Sequence, residues 1–502
     1  MENERGSWGS NLGFILAAIG SAVGLGNIWG FPYKMGKSGG FTFLIAYLFL
    51  AIFVGFVVMV SELAMGRKVG KGVIGCYHTL SKKFKWVGWL AVFSPFIIMS
   101  FYSVLGGYCI EYMALNMSNL AFAGAEIKTG SDLFTAMLTN PFGCVVFTLL
   151  FLVICFLINR GGISGGIEKF NKIGMPALFV MLVIIIIRSV TLEGAVEGLK
   201  FMFVPGYAVS AGFIEEAPNF ISVLAIAGGQ MFFSLSLAMG VMFTYGSYLN
   251  KQENLVKNSA VIVFSDTLVA LMAGLAVIPA AVANGIQQGM NVADIKLSGP
   301  NLLFVTLQDV FNAMGTAGPL FGVIFYLLVL IAAISSAISL VEVVATFFLD
   351  RAAEKGKTGN RNKVVLVVCL AITVEALIVA IDGLGAGGLG AGLGSGLPVP
   401  FKEMTAQVAA DGTVTYMPWN DCWLDFMDMM SEGIAMPLGA LLMSLMVGYE
   451  IKPKTVLEEV RLGCRTKIDA FYNICIRFIT PIGMVLVLLG QINDFFGTGW
   501  FG

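Results

Sequence analysis

The chain has 502 residues, 57% hydrophobic and 12% charged, with one histidine and a formal net charge of −1. A soluble protein carries about twice that share of charge, so the composition describes a polytopic membrane protein. Near-neutral charge offers nothing to nucleic acid; the eight cysteines lie mostly in apolar runs without metal-like pairing; and His78, in a basic loop, leaves no set for histidine-based catalysis.

Apolar runs of about 20 residues mark membrane spans. Eleven are expected, at 11–33, 41–66, 88–117, 141–159, 166–190, 217–248, 256–284, 317–349, 363–382, 422–448 and 468–490. The first lacks the basic start and cleavage site of a signal peptide and continues to spanning length. With the N-terminus inside, twenty-two Lys and Arg fall on inner loops and seven on outer ones, with Arg477 inside a span. That asymmetry places the N-terminus in the cytoplasm and, after an odd number of spans, the C-terminus outside. Residues 298–316 carry Pro300, Asn301 and the amphipathic FVTLQDVF, read as a short helical cap over an outer vestibule. The glycine-rich stretch 383–397 reads as a flexible outer connection.

Two spans interrupt themselves. Gly20 to Phe31 reads GSAVGLGNIWGF, and Gly20, Gly24 and Gly26 each weaken a helix by about 1 kcal/mol relative to alanine. Asn27 is a polar group that hydrocarbon penalises unless something binds it. Such backbone at membrane depth is satisfied by protein, water or ligand, unless the small residues are only a packing notch. In the sixth span, Ala227 to Ser236 reads AGGQMFFSLS, again with glycines, a glutamine and serines in an apolar run. Paired interruptions point to a midplane transport site between two repeats. The expected division is 1–10 as an N-terminal gate segment, 11–190 and 217–448 as five-helix repeats, and 468–502 as an eleventh helix and tail. Asp266, in the seventh span with no basic residue nearby, is functional by default or a protonated structural group. Ser335 and Ser336 read as ion ligands or as hydroxyls bonded back to their own helix.

SAVGLGNIWGFPY at 21–33, SELAMGR at 61–67, FFSLSLAMG at 232–240 and AISSAIS at 333–339 resemble the neurotransmitter:sodium symporter family over spans one to ten. The likeness is greatest to its bacterial, LeuT-like, eleven-span branch of aromatic amino-acid (tyrosine transporter-like) carriers. It implies an all-α polytopic membrane protein with a 5+5 inverted repeat, broken helices 1 and 6 and an eleventh transmembrane helix, in a bacterial inner (plasma) membrane. No enzymatic chemistry and no organic cofactor are implied. The partners would be a small neutral amino acid, two Na+ as coupling ions and the lipid bilayer, with no nucleic acid and no obligate protein partner.

Sodium, a hard cation, takes oxygen ligands. By the resemblance one site uses the Ala22 carbonyl, Asn27, Ser234, Asp266 (Ser265 if the alignment slips by one) and the substrate carboxylate. The other uses the carbonyls of Gly20, Val23 and Ala332 with the hydroxyls of Ser335 and Ser336. Animal relatives carry a neutral residue at the position of Asp266 and bind chloride there, so no chloride requirement is expected; Tyr47, Gln230 and Ser234 would be its hydrogen-bonding neighbours. Gly24 stands where monoamine carriers have an aspartate, so the substrate brings its own carboxylate. The amides near Leu25 and Gly26 would hold it, with the Tyr102 hydroxyl; carbonyls around Phe233 and Ser236 would hold the ammonium. Ile98, Tyr102, Phe233, Met239, Ser336 and Leu340 would line the side-chain pocket, with Ala238 close by. The adaptable Met239 suits a bulky apolar or aromatic group.

Tyr102 and Phe233 would form the outer lid. Arg5 with Asp350, packed by Trp8, Ser247 and Tyr248, would form the inner gate. The family's arginine after Trp29 is here Gly30, while Asp428 matches its acidic partner, so the outer salt bridge is absent or rebuilt with Lys34. Proton antiport through Asp266 or Glu62 is left open; the rivals are a proton-coupled carrier of the same fold and a transport-silent amino-acid sensor. An intramembrane hydrolase lacks a Ser-His or metal set.

Overall fold

The computed structural model describes residues 7–121, 129–295, 297, 302–357, 359–384, 399–400, 406–408, 414–416, 422–464, 466–496, 498 and 500. Among them nine helices are long and apolar enough to cross a membrane: Phe41–Val69, Val87–Ala121, Phe142–Asn159, Ile163–Val190, Leu255–Gln287, Gly315–Glu354, Arg361–Asp382, Trp423–Glu450 and Asp469–Phe496. Asn11–Ala22 and Gly26–Lys37, bent by 46° at the gap between them, make a tenth, the first span in chain order. The remaining expected span, the sixth, is two short helices, Phe220–Ser234 and Val241–Gly246.

Short polar side chains set where the apolar runs begin as helix. Ser10, Asn140, Asn219, Asn254 and Asn360 each accept a backbone N–H from the first turn of the helix that follows, which satisfies a donor the helix would otherwise leave unpaired. The third span packs along the fourth, eighth and ninth, and the first half of span one lies against the fifth, seventh and eighth. The sixth packs on the second and eleventh. Both interrupted stretches, 21–28 and 234–246, are buried throughout.

The interruptions do not coincide with every glycine. In span one the gap is Val23–Leu25, whereas Gly20 lies within the helix, at a point where a side chain would collide with Asn171 of the fifth span. In span six the helix runs straight through Gly228 and Gly229. Their missing side chains admit Val487 of the eleventh span at the first and Gln491 and Glu432 at the second. The chain opens instead at 235–240, where Ser236, Ala238 and Gly240 take φ of 52°, 60° and 78°. Left-handed backbone costs a non-glycine residue about 1–2 kcal/mol. Distant groups offset it: Glu62 of the second span accepts the Ala238 N–H at 2.7 Å, and Ser236 Oγ donates to the Ser21 carbonyl at 2.8 Å.

Leu307–Ala313 is the helix expected in the 298–316 cap. Phe311 packs on Phe325 and Tyr326 of the eighth span, and Gln308 exchanges amide hydrogen bonds of 3.0 and 3.3 Å with Asn116 of the third. Pro300 and Asn301 lie outside the described residues, as do residues 385–397 of the glycine-rich connection. A short antiparallel ribbon, Ala406–Val408 with Val414–Tyr416, lies in the loop between the ninth and tenth spans.

Arg67, the last residue of SELAMGR, is 3% exposed. Its guanidinium donates to Glu459 Oε1 at 2.9 Å and to the Glu253 carbonyl at 2.7 Å, fastening the end of the second span to two loops. Arg67→Ala leaves the Glu253 and Glu459 carbonyls without this donor, while Lys251 still pairs the Glu459 carboxylate at 3.0 Å, and is expected to cost about 1–3 kcal/mol, read as a lower melting temperature of the purified protein.

Candidate substrate and ion site

The seventh span brings the Asp266 carboxylate, 0% exposed, to the far side of the gap in span one. Asn27 Nδ2 donates to Oδ1 at 2.7 Å and to the Asp266 carbonyl at 3.1 Å. Ser234 Oγ lies 2.9 and 3.0 Å from the two carboxylate oxygens, and Tyr47 OH donates to Oδ2 at 3.1 Å. These partners are all neutral donors, so they orient the carboxylate without cancelling its charge. Ser265, the alternative ligand, is half-buried on the same helix and takes no part in this cluster. Asn27 Oδ1 accepts the Gly24 N–H at 3.0 Å, and Gln230 Nε2 donates to the Gly26 carbonyl at 2.6 Å, so polar side chains satisfy backbone that the interruption frees. The Ala22 carbonyl, at the last helical residue before the gap, belongs to the orphan carbonyls of that helix end.

A second group of oxygens forms where span one meets the eighth. Ser335 Oγ lies 3.4 Å from the Val23 carbonyl and 2.8 Å from that of Ala332. Ser336 Oγ lies 3.4 Å from the Gly20 carbonyl and 2.9 Å from that of Ser21. Both readings of this serine pair have a counterpart here: Ser335 bonds back to its own helix, and both hydroxyls face freed carbonyls of span one. Among the described residues no group of three or more His, Cys, Asp or Glu side chains is arranged to hold a metal ion. The converging oxygens are carbonyls, hydroxyls and one carboxylate, a set that suits a hard cation and not a soft transition metal.

Between the two groups lies a narrow cavity of about 10 Å³, lined by Ser21, Ala22, Gly24, Gly26, Ile98, Tyr102, Phe233, Ser236, Met239, Ser336 and Leu340. Leu25 contributes backbone, its N–H donating to Tyr102 OH at 3.0 Å. Gly24 has no room for a side chain, because Ser336 Oγ and Tyr102 OH fill the space a Cβ would take. Phe233 lies over Gly26, with its ring 6.3 Å from that of Tyr102. Larger voids occur elsewhere. A groove of about 450 Å³ between the second and seventh spans is lined by apolar groups such as Ile52, Phe56, Phe264 and Leu271, with Thr267 its one polar side chain, and so lacks converging polar groups.

Sequence reasoning missed several members of this site. Ser21 Oγ lies 2.6 Å from Ser339 Oγ and 3.2 Å from Ser236 Oγ, linking spans one, six and eight through hydroxyls. Glu62, singled out from sequence only for proton movement, holds the gap in span six. On the N-terminal side, Arg5 lies outside the described residues. Trp8 Nε1 donates to the Tyr245 carbonyl at 3.2 Å, and Asp350 accepts the Gly72 N–H at 2.8 Å. Ser247 bonds to Thr244 of its own turn. Tyr248 OH donates to Glu342 Oε1 at 3.2 Å, and Arg361 pairs with the same carboxylate, two charges with no foretold role. Asp428, half-buried on the tenth span, faces Lys34 and Glu432.

Hard-cation oxygens and a small enclosed cavity at two interrupted, buried spans define a secondary transporter. A sequence profile of the sodium:neurotransmitter symporter family matches residues 5–132 and 127–388, and the chain belongs to that family. It is 32% identical to the uncharacterized sodium-dependent transporter YhdH of Bacillus subtilis (strain 168), over 98% of this chain and 99% of that protein. A second uncharacterized sodium-dependent transporter, from Haemophilus influenzae, is 30% identical over 97% of this chain and 98% of its own length. The crystal structure of MhsT in complex with L-phenylalanine superposes with a TM-score of 0.80 at 32% identity, covering 97% of this chain and all of that one. The fold is therefore the LeuT-like inverted repeat, and the chain is a sodium-dependent membrane symporter rather than an enzyme, with Na+ as its coupling ion.

Proposed function

We propose that this symporter imports a neutral, bulky apolar or aromatic L-amino acid with two Na+, without chloride, by alternating access across a bacterial plasma membrane. The observation that carries the substrate class is the contact between the Leu25 N–H and Tyr102 OH beside the bare Cα of Gly24. An amide and two hydroxyls, those of Tyr102 and Ser336, converge where Gly24 has no side chain of its own, a set of polar groups suited to a carboxylate at the start of a half-helix. That carboxylate would complete the oxygen set of Ala22, Asn27, Ser234 and Asp266; Gly20, Val23, Ala332, Ser335 and Ser336 would hold the second ion. The fixed charge of Asp266 would take the part of chloride. Among the described residues no cationic or anionic side chain lines the cavity to pair with a charged substrate, and the L-phenylalanine held by MhsT points the same way.

Each ion moving down a tenfold gradient and about −100 mV supplies ~3.7 kcal/mol, so two would sustain roughly 10⁵-fold accumulation of a neutral solute. The charge bias of the loops puts the N-terminus in the cytoplasm and the end of the first span at Lys34 on the outer side. Tyr102 and Phe233 then form the lid toward the outside. Trp8, Ser247, Tyr248 and Asp350, with Arg5, belong to the inner closure.

The test is equilibrium binding of tyrosine, tryptophan, phenylalanine and leucine to purified protein in sodium or choline, with chloride or gluconate. Sodium-dependent, chloride-indifferent binding is the expected result; binding indifferent to sodium would favour the proton-coupled carrier. Met239→Ala is expected to move preference from leucine toward tryptophan by about 10-fold, since one or two methylenes in an apolar pocket are worth about 1–3 kcal/mol. Competition between the two amino acids in the same assay measures it.

A further inference from the structure

A cavity of about 350 Å³, sharing no residue with the substrate cavity, lies where the loop after the second span meets the ends of the third and eighth. Val73–Leu80 is a short helix in that loop. The lining includes the chain's one histidine, His78, with Lys71, Arg351 and Glu354 and the rings of Trp89 and Phe347. Lys71 Nζ pairs with Glu354 Oε1 at 2.8 Å, and His78 and Arg351 act on the same carboxylate. None of these three cations has a part in the transport site.

The surroundings are basic and border the membrane. Residues 63–110 hold no acidic side chain, and the turn between the short helix and the third span carries Lys82, Lys83 and Lys85, all exposed. Ser81 Oγ fixes that turn by donating to Glu450 Oε1 at 2.9 Å. Trp86, Trp89 and Phe93 of the third span are each about half exposed, at spacings of three and four that put them on one face. Trp89 packs edge-on against Phe347 at 5.0 Å, and the Arg351 guanidinium sits 6.0 Å over the same ring. Exposed tryptophans mark the headgroup level of a bilayer. Phe93 and Phe348, deeper along their spans, continue an exposed apolar surface toward the acyl region. The cavity thus joins a charged wall to an aromatic wall that also faces lipid.

We propose that this cavity binds the headgroup of one anionic phospholipid of the inner leaflet, of the phosphatidylglycerol type. Basic pockets between spans on the cytoplasmic side suit such headgroups, and the charge bias of the loops puts this one on that side. Lys71, His78 and Arg351 take the phosphate through charge-assisted hydrogen bonds. The phosphate replaces Glu354 on Lys71, and the released carboxylate accepts from the glycerol hydroxyls, donors that a choline headgroup lacks. The three loop lysines favour a headgroup of net negative charge over a zwitterion. The bound lipid ties the loop to the end of the eighth span beside Asp350, which already accepts the Gly72 N–H.

The experiment counts lipid bound to full-length protein in uncharged detergent by native mass spectrometry. Phosphatidylglycerol, phosphatidylethanolamine, phosphatidylcholine and soluble glycerol phosphate are titrated in parallel. The variants are Lys71→Gln with Arg351→Gln and, as control, Lys257→Gln with Lys454→Gln, two exposed lysines on other inner loops. Wild type is expected to hold one phosphatidylglycerol at least about tenfold more tightly than either zwitterionic lipid. The cavity pair should lower that affinity about tenfold, and the control pair less than threefold. Lys71, His78 and Arg351 are all at least partly exposed, so unchanged melting temperatures without lipid are expected to show intact folds. Should the pair unfold, Arg351→Gln alone decides, with a loss of about threefold expected and none overturning the site. Equal losses in the two pairs would mean diffuse surface charge and overturn the site. Phosphatidylethanolamine bound as tightly as phosphatidylglycerol would overturn the anionic class. Displacement of the lipid by equimolar glycerol phosphate would make the ligand a soluble phosphate and overturn the lipid.

Discussion

Asp266→Ser is expected to abolish sodium-dependent binding and uptake in gluconate and to restore both in part when chloride is supplied. The carboxylate accepts from Asn27, Ser234 and Tyr47 and is fully buried. Those three donors are aimed at a negative charge. At an effective dielectric of about 20, even one charge about 4–5 Å from the ion is worth roughly 3–4 kcal/mol, which is about 10²–10³ in sodium affinity, and a carboxylate that ligates the ion directly contributes more. Serine leaves space where the carboxylate was, with the donors intact, and chloride is the small anion that can fill it. The check is sodium-dependent binding of the preferred amino acid with chloride titrated against gluconate. Wild type should show no chloride dependence. A serine variant that bound sodium as wild type does in gluconate would remove Asp266 from the ion site.

Gly24→Ala is the second large effect. Its methyl group would coincide with Ser336 Oγ and Tyr102 OH, so either the third and eighth spans move apart or the methyl occupies the carboxylate cradle. Amino-acid affinity is expected to fall at least about 100-fold, the scale of losing a charge-assisted hydrogen bond with its geometry. Gly26→Ala provides the contrast. There the added methyl would lie 2.8 Å from Phe233 Cδ1, the edge of a ring that can swing, and the loss should be about tenfold smaller. Parallel titrations of the two variants at saturating sodium measure this order; equal losses would mean that Gly24 serves packing alone.

The spans were legible because apolar length is a local property. The first interruption was legible because glycines and Asn27 mark it in sequence. The sixth was read over Ala227–Ser236, and the opening at 235–240 overlaps only the end of that stretch, for a physical reason. Gly228 and Gly229 look like helix breakers, yet they are sites of close approach to the tenth and eleventh spans. The residues that do turn left-handed, Ser236 and Ala238, carry no such mark. What holds them is Glu62, remote in sequence, and no local pattern reports a carboxylate arriving from another helix. Ser335 and Ser336 could be singled out as a polar pair, but the Ser21–Ser339–Ser236 hydroxyl link could not, since isolated serines in apolar spans usually bond their own helix. Arg361 read as a loop charge; only packing places it on Glu342 beneath Tyr248. On the tenth span Asp428 was the acid chosen by motif position, and the wide turn at Met429–Ala435 aims Glu432 at Lys34 instead.

The most direct test of the central claim is uptake of labelled tyrosine, tryptophan and leucine into liposomes holding the purified protein, with sodium or potassium outside. Accumulation above equilibrium that requires the inward sodium gradient, and collapses when sodium is equal on both sides, is the predicted result. Uptake that proceeds equally in potassium would contradict the ion sites at Asp266 and at Ser335–Ser336, and with them sodium-coupled symport.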